Sequence, residues 1–366
     1  TMGSHFLGLL IHELGHTLGL SHPGKYNGQG FNYERNAEYA QDTKARSVMS
    51  YWNETHQPGH NFAGRTPGAP MMDDIAAAQR LYGANTKTRN TDTTYGFNSN
   101  SGREVYSLKR ESEKPIFTVW DGGGNDTLDF SGFTQNQTIN LKAEAFSDVG
   151  GLRGNVSIAK GVMVENAIGG AGNDTLTGNE GNNRLTGGRG ADTLFGGAGA
   201  DTFVYHRASD STPQRPDIIQ DFQSGIDKID LTGVLQEAGL KALNFSERLS
   251  GKAGDALLGQ DSKTGRFTLA VDTTGNGSAD LLVVSQSQIK QTDVIWNGQA
   301  PTVTPTPPPP VVPVSDPIPA PTSEPTEPEP EPEPEPKPAP RPGGGFFEKI
   351  FSSFKGFLNK VWSIFS

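Results

Sequence analysis

Cysteine is missing from all 366 residues. Neither a disulfide nor a thiolate metal site is therefore available, and any staple the fold needs comes from ions held by oxygen or imidazole. Also missing is an uninterrupted apolar run of the roughly 18 residues that a membrane span requires. The opening TMGSHFLGLLIHELGH carries His and Glu where a secretory signal peptide is purely apolar. Positive charge is scarce, with 31 Lys and Arg against 41 Asp and Glu for a formal net charge of -10. Without a long basic run to displace counterions, nucleic acid is not an expected partner. Only 33% of residues are hydrophobic while glycine reaches 46 and proline 26, so much of the chain is unlike ordinary packed core.

What is present divides into four stretches, which together predict a multidomain α+β protein. Residues 1–84 mix helical patterns with His-rich loops and end in MMDDIAAAQRLYGAN, a helix with acidic residues at its start and Gly83 as its stop. Residues 85–299 are rich in Gly, Asn, Asp and Thr with short apolar alternations, which reads as strands and turns. Residues 300–342 hold 19 of the 26 prolines around an EPEPEPEP core, the composition of a disordered, extended spacer. Residues 343–366 form a separate amphipathic helix candidate.

The stretch HELGHTLGLSHP concentrates the chemistry. At 100° per residue His12 and His16 lie about 40° apart on one helix face, opposite Leu7, Leu10, Ile11, Leu14 and Leu18. Glu13 is turned away enough to miss direct ligation and stays close enough to reach a water beside the metal. Gly19 can end the helix in a left-handed turn that brings His22 back as a third ligand. Three neutral imidazoles with a fourth position open are the pattern of a catalytic zinc site. A bare HExxH also arises by chance in many helices, so the third histidine, the turn glycine and SVMSYW downstream carry the inference. His5, His56, His60 and His206 are left out of the site, the loop pair His56 and His60 being read as solvated.

Between Gly169 and Val204 the chain reads GGAGNDTLT, GNEGNNRLT, GGRGADTLF and GGAGADTFV, a period of nine without a slip. Each glycine loop offers carbonyls and an acidic side chain to calcium, and the following apolar residue (Leu176, Leu185, Leu194, Phe203) points into a parallel β-roll. Successive turns lie on alternate sides, so calcium is expected between repeats eighteen residues apart. Asp174 then pairs with Asp192 and Asn183 with Asp201, helped by Gly170, Gly172, Gly188, Gly190, Gly197 and Gly199. The Asn183 site lacks one carboxylate and is expected to be weaker. A flexible glycine linker would not keep apolar residues in register over four repeats. Such loops have too much negative charge and too little core to fold without the ion.

On a wheel, the apolar residues of 346–366 fall on one side, with three Lys and one Glu among the polar residues opposite. That profile suits a membrane interface or a C-terminal export signal, and a helix docked on its own protein is the alternative.

HELGHTLGLSHP followed by SVMSYW resembles the metzincin pattern with its Met-turn; Pro23, Tyr51 and DDIAAAQRLYGAN are similar to the serralysin branch. The resemblance implies a secreted, extracellular bacterial zinc endopeptidase acting on proteins or peptides, with Zn²⁺ and Ca²⁺ as cofactors. His12, His16 and His22 become zinc ligands, Glu13 the general base and Met49 the apolar floor. Tyr51 becomes the tyrosine that ligates resting zinc and moves to stabilise the oxyanion. The resemblance also implies a further calcium held by Asp121, Gly123 and Asp126 with carbonyls of Arg89, Thr91 and Thr93, and makes Glu165 an acidic ligand leading into the first repeat. Serralysins carry a pro-segment and a twisted sheet before the zinc helix, so this chain is expected to be the C-terminal portion of the catalytic domain followed by the roll. Export by a type I secretion apparatus and folding outside fit that family. Serralysins end near a segment like TDVIW at 292–296, so everything after Gly298 departs from the pattern. The contrasting expectation is a calcium-folded surface or membrane-binding module with a vestigial protease portion.

Overall fold

A computed structural model of the chain describes residues 5–296. The proline-rich stretch 300–342 and the amphipathic segment 343–366 lie outside the described residues, and with them the membrane-interface and export-signal expectations placed on that segment. Among the described residues no helix is long and apolar enough to cross a membrane.

The N-terminal part is helix and loop: α1 (His5–Thr17), the single turn α2 (Tyr33–Asn36) and α3 (Met72–Tyr82). Helix α1 ends where the Leu20 amide reaches the Gly15 carbonyl and Gly19 takes φ +81°, a backbone state that L side chains rarely adopt. Its apolar side is only partly covered. Ile11 is fully buried, while Leu7, Leu10, Leu14 and Leu18 are half-buried. Helix α3 starts at Met71, whose amide donates to the Asp74 carboxylate at 2.8 Å, and stops at Gly83 with φ +82°.

From Thr94 onward the chain is mostly parallel β-structure. One eight-stranded sheet runs in space as 294–295, 228–230, 202–204, 184–186, 166–168, 127–129, 94–97 and 107–108. The facing sheet runs 244–245, 255–260, 267–272, 281–285, 217–219, 193–195, 175–177 and 138–140. Consecutive repeats alternate between the two sheets, so Leu194 pairs with Leu176 and Leu185 with Phe203. These four side chains are at most 1% exposed and stack along the axis of the roll. The alternation is why a nine-residue period in sequence becomes an eighteen-residue ladder in space. The turns are tight: at Gly188, with φ +96°, a β-carbon would stand 2.1 Å from the Gly170 carbonyl oxygen.

The strand region is not a parallel roll throughout. Strands 255–260, 267–272 and 281–285 pair antiparallel, and helix α4 (Thr232–Ala238) precedes them. A short alternating run can be a parallel or an antiparallel strand, and only its neighbours decide.

The two parts share a core. Ile116 and Leu152 from the strand region pack with Ile11, Met49, Phe62 and Met71. The backbones of Asn61 and Arg153 exchange two hydrogen bonds, and the half-buried ring of His60 stands edge-on to Phe146 with centroids 4.6 Å apart. His60 is therefore not a solvated loop histidine; burial pushes its pKa down. His56 is exposed and stacks on Tyr33 at 4.2 Å.

Candidate metal centres

The side chains of His12, His16 and His22 converge, with ligand atoms all within 4.8 Å of one another. His12 Nε2 lies 3.1 Å, and His16 Nε2 3.2 Å, from His22 Nε2. Each Nδ1 faces a backbone carbonyl: His12 that of Val48 at 2.8 Å, His16 that of Leu20 at 2.8 Å, and His22 that of Tyr26 at 2.7 Å. A carbonyl oxygen can only accept, so each Nδ1 carries the proton and each Nε2 turns a lone pair toward the other two. Three lone pairs meeting at a point repel unless a cation stands among them, which makes the donor set fit zinc. Burial holds the His22 pKa below the usual imidazole value.

Glu13 is exposed on the same helix. With His12, Lys44, Ser50 and Tyr51 it lines a cavity of about 360 Å³. The Tyr51 ring lies 4.4 Å from that of His22, centroid to centroid, and its hydroxyl meets Asn27 Oδ1 at 3.5 Å. Met49 is 1% exposed, and its sulfur packs so tightly on α1 that a β-carbon at Gly15 would come within 2.3 Å of it.

Asp74 fixes this turn and was not singled out from sequence. Its buried carboxylate accepts from Ser47 Oγ at 2.6 Å and from the Val48 amide at 2.8 Å, while the Val48 carbonyl accepts from His12. Burial raises its pKa to about 6, against the three hydrogen bonds that favour the ionised form. The acidic start of α3 was visible in sequence, but its reach across 26 residues to Val48 was not.

In the roll, the carboxylates form two ladders. On one, the amide of Gln137 donates to Asp174 Oδ1 at 2.7 Å and that of Asp174 to Asp192 Oδ1 at 2.7 Å. On the other, the Asn183 amide donates to Asp201 Oδ1 at 2.8 Å, and Asn183 Oδ1 itself accepts from Asn179. Gly188 and Gly190 lie against the carbonyls of Gly170 and Gly172, Gly197 against that of Asn179 and Gly199 against that of Gly181, so turns eighteen residues apart pack backbone on backbone with no room for a side chain. Both ladders continue past the repeats: the Asp192 amide donates to Asp217 at 2.9 Å and that of Asp201 to Asp227 at 3.0 Å. Asp217 and Asp227 escaped the sequence pattern because 25 and 26 residues separate them from their partners instead of eighteen.

Upstream, Asp126 Oδ1 accepts from the Thr93 amide at 2.8 Å, and the Asp126 amide donates to Glu165 Oε2 at 2.7 Å. Asp121 accepts from the Gly123 amide and from the Tyr95 hydroxyl. A β-carbon at Gly124 would stand 2.7 Å from the Thr91 carbonyl oxygen, so the 89–93 segment lies against this loop. The Arg89 guanidinium is occupied with Tyr95 and the Trp120 carbonyl, which leaves only its backbone for the role the resemblance implies.

One carboxylate oxygen of Asp126, Asp192 and Asp201 is buried with no hydrogen-bond partner among the described residues. Burial raises the pKa of all three; for Asp201, with Asp227 and Asp221 adding to it, the value is about 7. Orphaned, desolvated carboxylate oxygens suit a hard cation such as calcium.

Comparison with known proteins adds an independent line. Residues 84–296 match the family model described as Peptidase M10 serralysin C terminal. The chain is 58% identical over 301 residues to Metalloprotease AprA of Pseudomonas entomophila, covering 78% of this chain and 62% of that one. It is 53% identical over 293 residues to Serralysin C of Dickeya chrysanthemi, covering 77% and 60%. Against Serralysin of Proteus mirabilis it is 52% identical over 286 residues, covering 73% and 58%. The chain therefore spans 58% to 62% of the length of these three curated relatives. Among solved structures, the AlgE6R2 subunit of the Azotobacter vinelandii mannuronan C5-epimerase aligns over 48% of this chain and 95% of its own at 20% identity, with a TM-score of 0.32. The 84–296 match and relatives above half identity make this chain a member of the serralysin family of metalloproteases.

Proposed function

We propose that the chain carries the metal-binding centre of a secreted zinc endopeptidase whose strand region folds around calcium. The observation that carries the zinc assignment is the convergence of three Nε2 lone pairs, each fixed by a carbonyl on the far side of its ring. Zinc bound there supplies Lewis acidity toward the scissile carbonyl. Glu13 takes a proton from the attacking water and returns it to the departing amine nitrogen, so that the peptide bond breaks with no net gain or loss of protons. Tyr51, beside His22 and able to donate from its hydroxyl, stabilises the oxyanion. Met49 and Asp74 hold the floor and the His12 orientation.

Calcium is assigned to Asp174 with Asp192, to Asn183 with Asp201, to the continuations at Asp217 and Asp227, and to the upstream set of Asp121, Asp126, Glu165 and the carbonyls of Arg89, Thr91 and Thr93. The orphaned carboxylate oxygens support this. Because the ion completes a structure that repels itself when empty, binding energy becomes folding energy. That suits passage through a type I secretion channel in an unfolded state.

The test uses protein extended to the length of the relatives. Zinc content by elemental analysis should approach one per chain, and casein hydrolysis should be lost in Glu13→Gln while zinc is retained. A zinc-loaded protein that cleaves no protein substrate would refute the enzyme assignment.

A further inference from the structure

His12 and His16 are carried by a helix, but His22 sits on a loop and must be held by something else. Tyr26 does this twice: its carbonyl accepts the His22 Nδ1 proton at 2.7 Å, and its ring lies on the imidazole with centroids 5.3 Å apart and planes 14° from parallel. Tyr26 is 2% exposed, and its hydroxyl donates to Asp42 Oδ1 at 2.8 Å. The second oxygen of that carboxylate accepts from Trp52 Nε1 at 3.2 Å. Trp52 follows Tyr51, and both rings contact Tyr26, at 5.1 and 5.0 Å between centroids. One buried carboxylate, 1% exposed, therefore ties the loop of the third histidine to the segment that leaves the Met-turn.

Resting on the zinc assignment above, we propose that Asp42, acting through Tyr26 and Trp52, is a positioning residue that fixes His22 and Tyr51 relative to the metal. A buried hydrogen-bond network in which every member has a partner holds its members to one geometry. Outer-shell partners of a metal-bound imidazole are typically worth 10- to 100-fold in metal affinity.

The experiment compares wild type with Tyr26→Phe, Asp42→Leu and Asp42→Asn in the intact chain, reading zinc affinity by chelator competition and ligand geometry by the visible absorption of cobalt-loaded protein. Tyr26→Phe and Asp42→Leu should weaken zinc by about 10-fold or more and shift the cobalt bands. Asp42→Asn should stay within a few-fold of wild type, since its amide oxygen accepts from Trp52 and its NH₂ donates to the tyrosine oxygen. Tyr26→Phe removes a single oxygen and decides the matter even where Asp42→Leu does not fold. Wild-type affinity and an unshifted cobalt spectrum in Tyr26→Phe would overturn the positioning role. Wild-type protein that binds neither metal would instead overturn the zinc assignment itself.

Discussion

Removing calcium should invert the way the roll responds to pH. Asp201 is the clearest probe, because burial and the neighbouring Asp227 and Asp221 raise its pKa from 3.8 to about 7. A group whose folded pKa exceeds its unfolded one holds its proton more tightly when folded. Its contribution is then fully present below about pH 4 and drains away as pH rises toward 7. The gap between 3.8 and about 7 corresponds to at most about 4 kcal/mol lost from the metal-free roll across that range. Asp192 and Asp126 are displaced in the same direction and add to the loss. Calcium replaces the proton, so with the ion present the alkaline loss should disappear and binding should release protons. Hydrogen exchange of peptides covering 166–204, corrected for the intrinsic pH dependence of exchange, follows the roll separately from the histidine centre. In chelator, protection should fall between pH 5 and 8; in excess calcium it should hold. A metal-free roll as well protected at pH 8 as at pH 5 would refute the claim that these carboxylates are desolvated sites awaiting an ion.

Other perturbations test separate contacts. Asn183→Asp should lower the calcium midpoint for folding, by supplying the missing carboxylate, and at the same time make the metal-free roll less stable; a calcium titration followed by circular dichroism reads both. Gly15→Ala drives a β-carbon into the Met49 sulfur and should cost about 1 to 3 kcal/mol in urea unfolding of the N-terminal part. Asp74→Ala leaves Ser47 Oγ and the amides of Val48 and Met71 without their acceptor. It should cost roughly 3 kcal/mol or more and weaken zinc through His12, measured by denaturation and by chelator competition.

The strand region shows where local pattern suffices and where it stops. Leu176, Leu185, Leu194 and Phe203 recur every nine residues, so their burial and their eighteen-residue partnering follow from counting alone. Asp217 and Asp227 do the same chemistry at spacings of 25 and 26, and counting misses them. The antiparallel strands 255–285 read like any other short apolar alternation until their partners are known.

By itself, the sequence determined the local chemistry. Two histidines a helical turn apart, a glycine able to take φ +81° and a strict glycine-aspartate period each act over a few residues, where backbone geometry leaves little choice. The tertiary structure decided what stands behind those groups: Asp74 under Val48, Asp42 between Tyr26 and Trp52, and His60 against Phe146. These contacts join residues distant in the chain, and a buried polar atom accepts whichever partner folding brings to it. No sequence period encodes that partner, because the energy of the contact depends on desolvation and geometry that exist only once the chain has closed around it.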